Sequence, residues 1–310
     1  MPQSTSPLRL GTRGSKLARV QAAMVASLLE ERAGIACEIV PVKTTGDRIL
    51  DRPLADAGGK GLFVKELEEA LLRDQIDLAV HSMKDVPTQL PPGLVLGAIL
   101  SREDPSDVLI ARAGRGLADL PAGNRVGTSS VRRQAQLARA RQDLKCVLLR
   151  GNVDTRLAKL EAGEVDAILL AMAGLKRLGL AARVTSAFSV NEWLPSLGQG
   201  IVGIEIRAAD SRTATAVAKL NDEASAVVLA CERAFQNALD GSCRTPIAGL
   251  ARLDGNTLSF RGEVIAPDGR GFVETELKIA LGADRKQDAE RAGREAGDKL
   301  RPTALPWLAV

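Results

Sequence analysis

The first half of the chain alternates short apolar runs with longer amphipathic segments. Strands are predicted at 8–11, 37–42 and 76–80, and helices at 16–32 and 63–73. Ser15 near the start of the first helix and Gly34 after its end are typical of helix boundaries. Alternation of strands and helices favours mainly parallel sheets with helices on their faces, so we expect an α/β fold.

Two short sequence motifs recur in the same order. Arg-Leu-Gly-Thr at 9–12 returns as Arg-Val-Gly-Thr at 125–128, and the predicted strand at 75–80 resembles 164–169. Chance is one explanation for two such short matches. We interpret them as two domains of similar α/β design.

Polar segments rich in Pro or Gly interrupt this pattern at 100–106 and 194–200, and they predict two crossings between domains. From about residue 221 the pattern changes to a helix, hairpin-like strands and a closing helix. These elements are predicted at 223–239, 247–253, 257–265, 271–279 and 284–300. We therefore expect domain 1 at 1–100 and 195–220, domain 2 at 101–194, and a small α+β domain 3 at 221–310.

Composition narrows the function classes. The chain has 310 residues, of which 45% are hydrophobic, so a disordered protein is excluded. A net charge of +4 with only 2% aromatic residues argues against a nucleic-acid-binding protein. A single histidine, His81, excludes a His-rich zinc site, and the four cysteines form no CxxC pair. We predict a cytoplasmic protein without a metal, a signal peptide or a membrane span.

Polar residues follow several predicted strands, where α/β sheets bind their ligands. The sets are Thr12–Ser15, His81–Asp85, Thr128–Ser130 and Arg150–Asn152. Basic side chains in or just after these segments are Arg13, Lys84, Arg132, Arg133, Arg150, Arg156 and Arg177. Converging guanidinium groups bind ligands that carry several carboxylates or phosphates. The alternative is that each lies on a solvated helix face.

Two residues are candidates for chemistry. Asp85 in this basic setting is a candidate general acid, base or stabiliser of a cation, or else a helix cap. Cys243 lies in a Gly/Pro loop beside Arg244 and is a candidate nucleophile or attachment point, or else an ordinary loop cysteine. His81 is interpreted as a core hydrogen-bonding residue. The other three cysteines are predicted to serve packing.

Two glycine-rich segments mimic nucleotide-binding motifs. The segment at 58–63 lacks both the upstream glycine and the Ser or Thr of a phosphate-binding loop, so a lid or hinge is predicted there. The GxGxxG at 198–203 runs into a predicted strand instead of a helix, which argues against dinucleotide binding.

Seven motifs together resemble one family. They are Gly11–Ser15, Gly59–Glu66, His81–Pro87, Val126–Arg133, Leu149–Asn152, Leu197–Gly200 and Gly241–Cys243. In order and spacing, from about residue 8 to at least 250, the chain resembles the porphobilinogen deaminases, also called hydroxymethylbilane synthases. The resemblance implies two domains like those of periplasmic binding proteins plus a small third domain. It also implies a transferase of tetrapyrrole (heme) synthesis, which joins four porphobilinogen units head to tail and releases ammonia.

The resemblance further implies a role for each matching residue. Asp85 would be the catalytic carboxylate, and Cys243 would hold a dipyrromethane cofactor through a thioether. Cofactor-binding residues would be Ser82, Lys84, Ser130, Arg132, Arg133, Arg150 and Arg156. Substrate-binding residues would be Arg13, Ser15, Lys60, Phe63, Arg177 and Gln199. A monomer without nucleic-acid or membrane partners is expected.

Two departures from some relatives concern charge only. Asp56 and Thr45 stand where some family members have basic residues, so the lid is less basic here. Neither position touches the roles implied for Asp85 and Cys243. The strongest alternative to an enzyme is a two-domain receptor that binds a carboxylate ligand without chemistry.

Overall fold

The structure is a computed structural model that describes residues 6–45, 61, 63–239 and 245–308. The described backbone divides into two compact units. The first contains 6–45, 61, 63–102 and 201–226, and the second contains 103–200, 227–239 and 245–308. The three-domain division stays a prediction.

The first unit is built on a sheet of five strands, β1 (Leu8–Arg13), β2 (Cys37–Val42), β3 (Leu78–Ser82), β4 (Leu94–Ile99) and β10 (Val202–Arg207). Their order in the sheet is β2-β1-β3-β10-β4. β1 runs parallel to both β2 and β3, whereas β10 is antiparallel to β3 and β4. Four of the five strands therefore run in one direction and β10 opposes them, so the sheet is mainly parallel, as the sequence predicts.

Helices of the first unit are α1 (Lys16–Ala33), α2 (Lys65–Leu72) and α6 (Ser211–Ala218). The predicted start of α1 is confirmed, and the helix ends one residue after the predicted Arg32. The Ser15 hydroxyl accepts a hydrogen bond from the Ala18 amide, and Gly34 closes the helix in the left-handed region at φ 69°. Val25 and Leu29 of α1 are fully buried against the sheet.

The second unit contains a sheet with the corresponding order β7-β6-β8-β5-β9. Its strands are β5 (Asp107–Ala111), β6 (Arg125–Thr128), β7 (Lys145–Leu148), β8 (Ala167–Ala171) and β9 (Ser186–Ala187). Its helices are α3 (Val131–Ala140), α4 (Val153–Glu161) and α5 (Met172–Arg177). Again the first strand of the motif, β6, is parallel to both neighbours, and β5 is antiparallel.

The sequence motifs that recur lie at equivalent places in the two sheets. The Arg9 amide donates to the Asp77 carboxylate at 2.7 Å, and the Arg125 amide donates to the Asp166 carboxylate at 2.7 Å. The Asp77 and Asp166 amides in turn donate to the carbonyls of the same two arginines, both at 2.8 Å. The similarity therefore extends to the contacts that join β1 to the residue before β3, and β6 to the residue before β8.

The C-terminal part of the second unit is α+β. Its elements are α7 (Glu223–Ala238), which begins in the first unit, then β11 (Ile247–Asp254), β12 (Thr257–Ile265), β13 (Phe272–Ala280) and α8 (Arg285–Leu308). The three strands form an antiparallel sheet in chain order. Together with the two mainly parallel sheets, this confirms the predicted fold class.

Helix α8 packs closely on α7 through glycine. A Cβ at Gly293 would lie 2.0 Å from the Cys231 carbonyl oxygen, so only glycine allows this approach. The predicted end of α8 at residue 300 is wrong because the helix continues past Pro302. Ala304 is fully buried and extends the buried stripe beyond Leu300, so packing offsets the hydrogen bond that proline removes.

Two further observations bear on the sequence predictions. Cys146 lies on the edge strand β7 and is exposed, so its predicted packing role is wrong, whereas Cys231 is buried as predicted. Within the described part of the chain, no helix is both long and apolar enough to cross a membrane.

Candidate active site

Helix α1 begins just after β1 and helix α3 just after β6, where free amides and the helix dipole favour anions. Ser15 caps α1, and Ser130 caps α3 by accepting a hydrogen bond from the Arg133 amide at 3.4 Å. Two of the three serines predicted to contact ligands therefore stand at α-helix N-termini.

In the first unit, Arg13 lies between the candidate catalytic carboxylate and an aromatic ring. Its Nη1 is 3.9 Å from Asp85 Oδ2, and its guanidinium carbon is 4.0 Å from the centre of the Phe63 ring. Asp85 ends a short 3₁₀ turn that follows β3, with about one third of its side chain exposed. A positive charge thus accompanies a carboxylate that is open to solvent.

Ser82 precedes that turn and is held by a residue that the sequence predictions missed. The Gln21 amide donates to Ser82 Oγ at 3.0 Å, and the Gln21 side chain is buried on α1. A glutamine on the same helix face as buried Ala18, Ala22 and Val25 is the signal that identifies it. Lys84 lies within the 3₁₀ turn beside Asp85.

A buried polar cluster lies behind this turn. His81 Nε2 is 2.9 Å from Glu205 Oε2, and both side chains are almost completely buried. This agrees with the interpretation of His81 as a core hydrogen-bonding residue. Glu68 of α2 is also buried, and burial together with the nearby Glu205 carboxylate raises its pKa to about 7.

In the second unit, the Arg132 and Arg133 side chains share one carboxylate. Arg132 Nη1 and Arg133 Nη2 donate to the two oxygens of Asp107, each at 2.7 Å. All three side chains are buried. The pair is therefore not part of a solvated helix face, and sequence reasoning did not identify Asp107.

Two other predicted residues of the second unit are fixed by backbone oxygens. The Gln199 amide donates to the Pro105 carbonyl at 2.7 Å and to Asp107 Oδ1 at 2.8 Å. Arg177 Nη2 donates to the Gly200 carbonyl at 2.7 Å. Gln199 is thereby held against the segment that precedes β5, and Arg177 is held by the residue that follows Gln199.

The remaining predicted arginines follow β7. Arg156 donates to the Gly151 carbonyl at 2.7 Å and to Ser129 Oγ at 3.1 Å. Arg150 is buried. Lys60 and Cys243, the predicted substrate-binding lysine and attachment cysteine, lie outside the described residues, as does most of the predicted lid.

Comparison with models of known protein families shows to which family the chain belongs. The model described as "Porphobilinogen deaminase, dipyromethane cofactor binding domain" matches residues 8–215. The model of the porphobilinogen deaminase C-terminal domain matches 226–302. The chain belongs to the porphobilinogen deaminase family.

Individual relatives agree over nearly the whole chain. The porphobilinogen deaminase of Paracoccus denitrificans is 48% identical, covering 98% of this chain and 96% of its own. That of Syntrophotalea carbinolica is 52% identical, covering 96% and 93%. Among solved structures, a periplasmic substrate-binding protein of an ABC transporter from Coxiella burnetii has a TM-score of 0.44 at 15% identity, covering 70% of this chain and 93% of that one.

The described residues fit the family's anionic cofactor. The Nε atoms of Arg132 and Arg133 are buried and, within the described part of the chain, have no hydrogen-bond partner. Two guanidinium groups against one Asp107 carboxylate leave one net positive charge. Burying unsatisfied donors costs about 1–3 kcal/mol each, and an anionic ligand group bound to these atoms would offset that cost.

Proposed function

We propose that the protein is a porphobilinogen deaminase, which condenses four porphobilinogen molecules to hydroxymethylbilane. The observation that carries the proposal is the match to both family models, which span 8–215 and 226–302. In each condensation the C–N bond of a substrate aminomethyl group breaks and ammonia leaves. A C–C bond then forms to the growing chain, and the attacked pyrrole carbon loses its proton. After four condensations, water releases the four-unit chain and supplies the hydroxyl group of hydroxymethylbilane.

Charge complementarity supports this substrate. Each pyrrole unit of porphobilinogen carries two carboxylates, so the product grows more negative with every step. Guanidinium groups match carboxylates with two parallel hydrogen bonds. In our proposal, substrate and chain carboxylates are bound by Arg13, Ser15, Lys60 and Arg177, and Phe63 and Gln199 also contribute to substrate binding.

Asp85 is the catalytic residue of this proposal. Its carboxylate stabilises the cation that forms when substrate loses ammonia, and it takes up the proton that the attacked carbon releases. Support comes from its exposed oxygens at the end of the 3₁₀ turn and from Arg13 at 3.9 Å, a distance too long for a strong ion pair. The carboxylate can therefore exchange Arg13 for a developing positive charge.

The dipyrromethane cofactor supplies the pyrrole carbon that attacks the first substrate. We propose Cys243 as its covalent anchor, with its carboxylates bound by Ser82, Lys84, Ser130, Arg132, Arg133, Arg150 and Arg156. The buried Arg132 and Arg133 hold fixed orientations before any ligand arrives, which lowers the entropy cost of binding. We also propose that the protein acts in the cytoplasm as a monomer, without nucleic acid.

The mass of the intact protein, measured under denaturing conditions, tests this proposal. A covalent excess equal to two deaminated porphobilinogen units, absent from Cys243→Ser, is the expected result. Cys146→Ser is the matched control, because it removes an exposed thiol elsewhere and leaves the excess in place. A bare-chain mass that does not change after incubation with porphobilinogen overturns the proposal and favours a carboxylate receptor without chemistry.

A further inference from the structure

Asp107, the first residue of β5, collects four hydrogen bonds from distant parts of the second unit. Besides Arg132 and Arg133 at 2.7 Å, the Trp193 indole donates to Oδ2 at 3.0 Å and the Gln199 amide to Oδ1 at 2.8 Å. The Asp107 side chain has no exposed surface. One carboxylate thus fixes three side chains to which the proposed function gives a role in ligand binding.

Electrostatics keep this carboxylate charged. Burial by itself raises the pKa of Asp107, but attraction to the Arg132 and Arg133 guanidinium groups outweighs burial and holds the pKa well below its usual range. The Glu263 carboxylate also acts on Arg132, and it accepts hydrogen bonds from Gln136 and Arg139. Asp107 therefore stays an acceptor for both arginines throughout the physiological pH range.

The way each arginine is held leaves part of its guanidinium group unused. Arg132 Nη1 is shared among Asp107, the Gln136 side chain and the Leu194 carbonyl. Arg133 donates Nη2 to Asp107 and Nη1 to the Leu169 carbonyl. The Nε atom of each is buried without a hydrogen-bond partner in the described residues. The contacts orient the groups without consuming all their donors.

We propose that Asp107 is the positioning residue of the cofactor site, setting the orientation of Arg132, Arg133 and Gln199 before an anionic ligand binds. This inference rests on the proposed function. It differs from a purely structural role in one measurable respect. A structural carboxylate changes only the stability of the fold, whereas a positioning carboxylate also changes how fast the folded protein takes up its cofactor.

The test follows covalent loading and not turnover of the loaded enzyme. Protein produced without porphobilinogen is incubated with it, and the mass excess is followed over time at a temperature where circular dichroism shows each variant folded. Asp107→Asn removes the charge but keeps the size, and a displacement of either guanidinium by about 1 Å slows loading on the order of 10²-fold. Asp143→Asn is the matched control, because its carboxylate pairs with Arg141 at an exposed site.

The dependence of loading on porphobilinogen concentration adds a second readout. Misplaced arginines weaken binding of the substrate carboxylates, so saturation of Asp107→Asn requires a higher concentration than saturation of the wild type. A folded Asp107→Asn that loads with wild-type rate and saturation overturns the inference. Wild-type protein that never loads overturns the proposed function instead, so the two failures are distinct.

A milder pair of variants decides the matter if Asp107→Asn does not fold. Trp193→Phe removes one donor to Asp107 and keeps an aromatic ring against Phe188, which stacks on Trp193 with centroids 4.4 Å apart. Phe188→Leu disturbs the same stack but removes no hydrogen bond to the Asp107 carboxylate, because Phe188 bonds to Asp107 only through its backbone amide, which donates to the Asp107 carbonyl at 3.0 Å. We expect Trp193→Phe to load about 3-fold more slowly and Phe188→Leu to load normally. Equal loading of the two variants overturns the inference.

Discussion

Glu68→Gln tests the buried cluster behind the candidate catalytic turn. Glu68 lies on α2 with 8% of its surface exposed, and burial and Glu205 raise its pKa from 4.5 to about 7, against the opposing effect of His81. Between pH 4.5 and about pH 7, Glu68 is therefore protonated in the folded state and ionised in the unfolded state. Stability falls as pH rises through this window, because ionising the buried carboxyl opposes folding.

The magnitude follows from the difference between the two pKa values. Raising a carboxyl pKa from 4.5 to about 7 corresponds to a loss of about 3 kcal/mol above pH 7, and to almost none below pH 4.5. Gln cannot ionise, so Glu68→Gln avoids this loss. Relative to wild type, the variant should gain about 3 kcal/mol between pH 4.5 and pH 8.

Urea unfolding followed by circular dichroism at a series of pH values measures this gain. Circular dichroism is the suitable probe because both tryptophans, Trp193 and Trp307, lie in the second unit. Glu69→Gln is the matched control, since its side chain is exposed and pairs with Arg73 on the same helix. A stability difference between Glu68→Gln and wild type that stays constant from pH 5 to pH 8 would refute the reasoning.

Two further predictions concern helix packing and catalysis. Gly293→Ala places a Cβ 2.0 Å from the Cys231 carbonyl oxygen, so thermal unfolding should show a fold destabilised by about 2 kcal/mol. Arg294→Ala is the control, because Arg294 is exposed and its replacement should have little effect. Equal stability of the two variants contradicts the packing argument. Asp85→Asn should change the melting temperature by only a few degrees, because its partner Arg13 is 3.9 Å away and the ion pair is weak. The same variant should form hydroxymethylbilane at least about 10²-fold more slowly. Near-normal formation would contradict the proposed role of Asp85.

Local signals predicted the elements whose ends are fixed by local chemistry. Helix α1 was placed within one residue because Ser15 and Gly34 mark its ends. Strand β3, predicted at 76–80, lies at Leu78–Ser82. The apolar run there includes Ile76, which is buried outside the strand. Hydrophobic pattern alone does not separate a strand from the buried turn that leads into it.

The candidate site was predictable where residues follow strands and less so where they act through others. The role of Asp107 is not predictable from local sequence, because its hydrogen-bond partners are 25 to 92 residues away along the chain. Only its place at the head of the apolar run Val108–Ile110 signals that it is buried. Side-chain networks that depend on several distant elements leave little trace in local sequence.

The order of strands in the first sheet has a consequence for synthesis on the ribosome. β4 joins that sheet only through β10, and about 100 residues separate the two strands along the chain. At about 5–20 residues per second, the first sheet waits on the order of 10 s for its missing strand. The second sheet, whose strands all lie between Asp107 and Ala187, is fully translated before β10 emerges. Of these two sheets, the one that is started first is therefore finished last, and the nascent chain carries unpaired strand edges in the meantime, which a chaperone can cover.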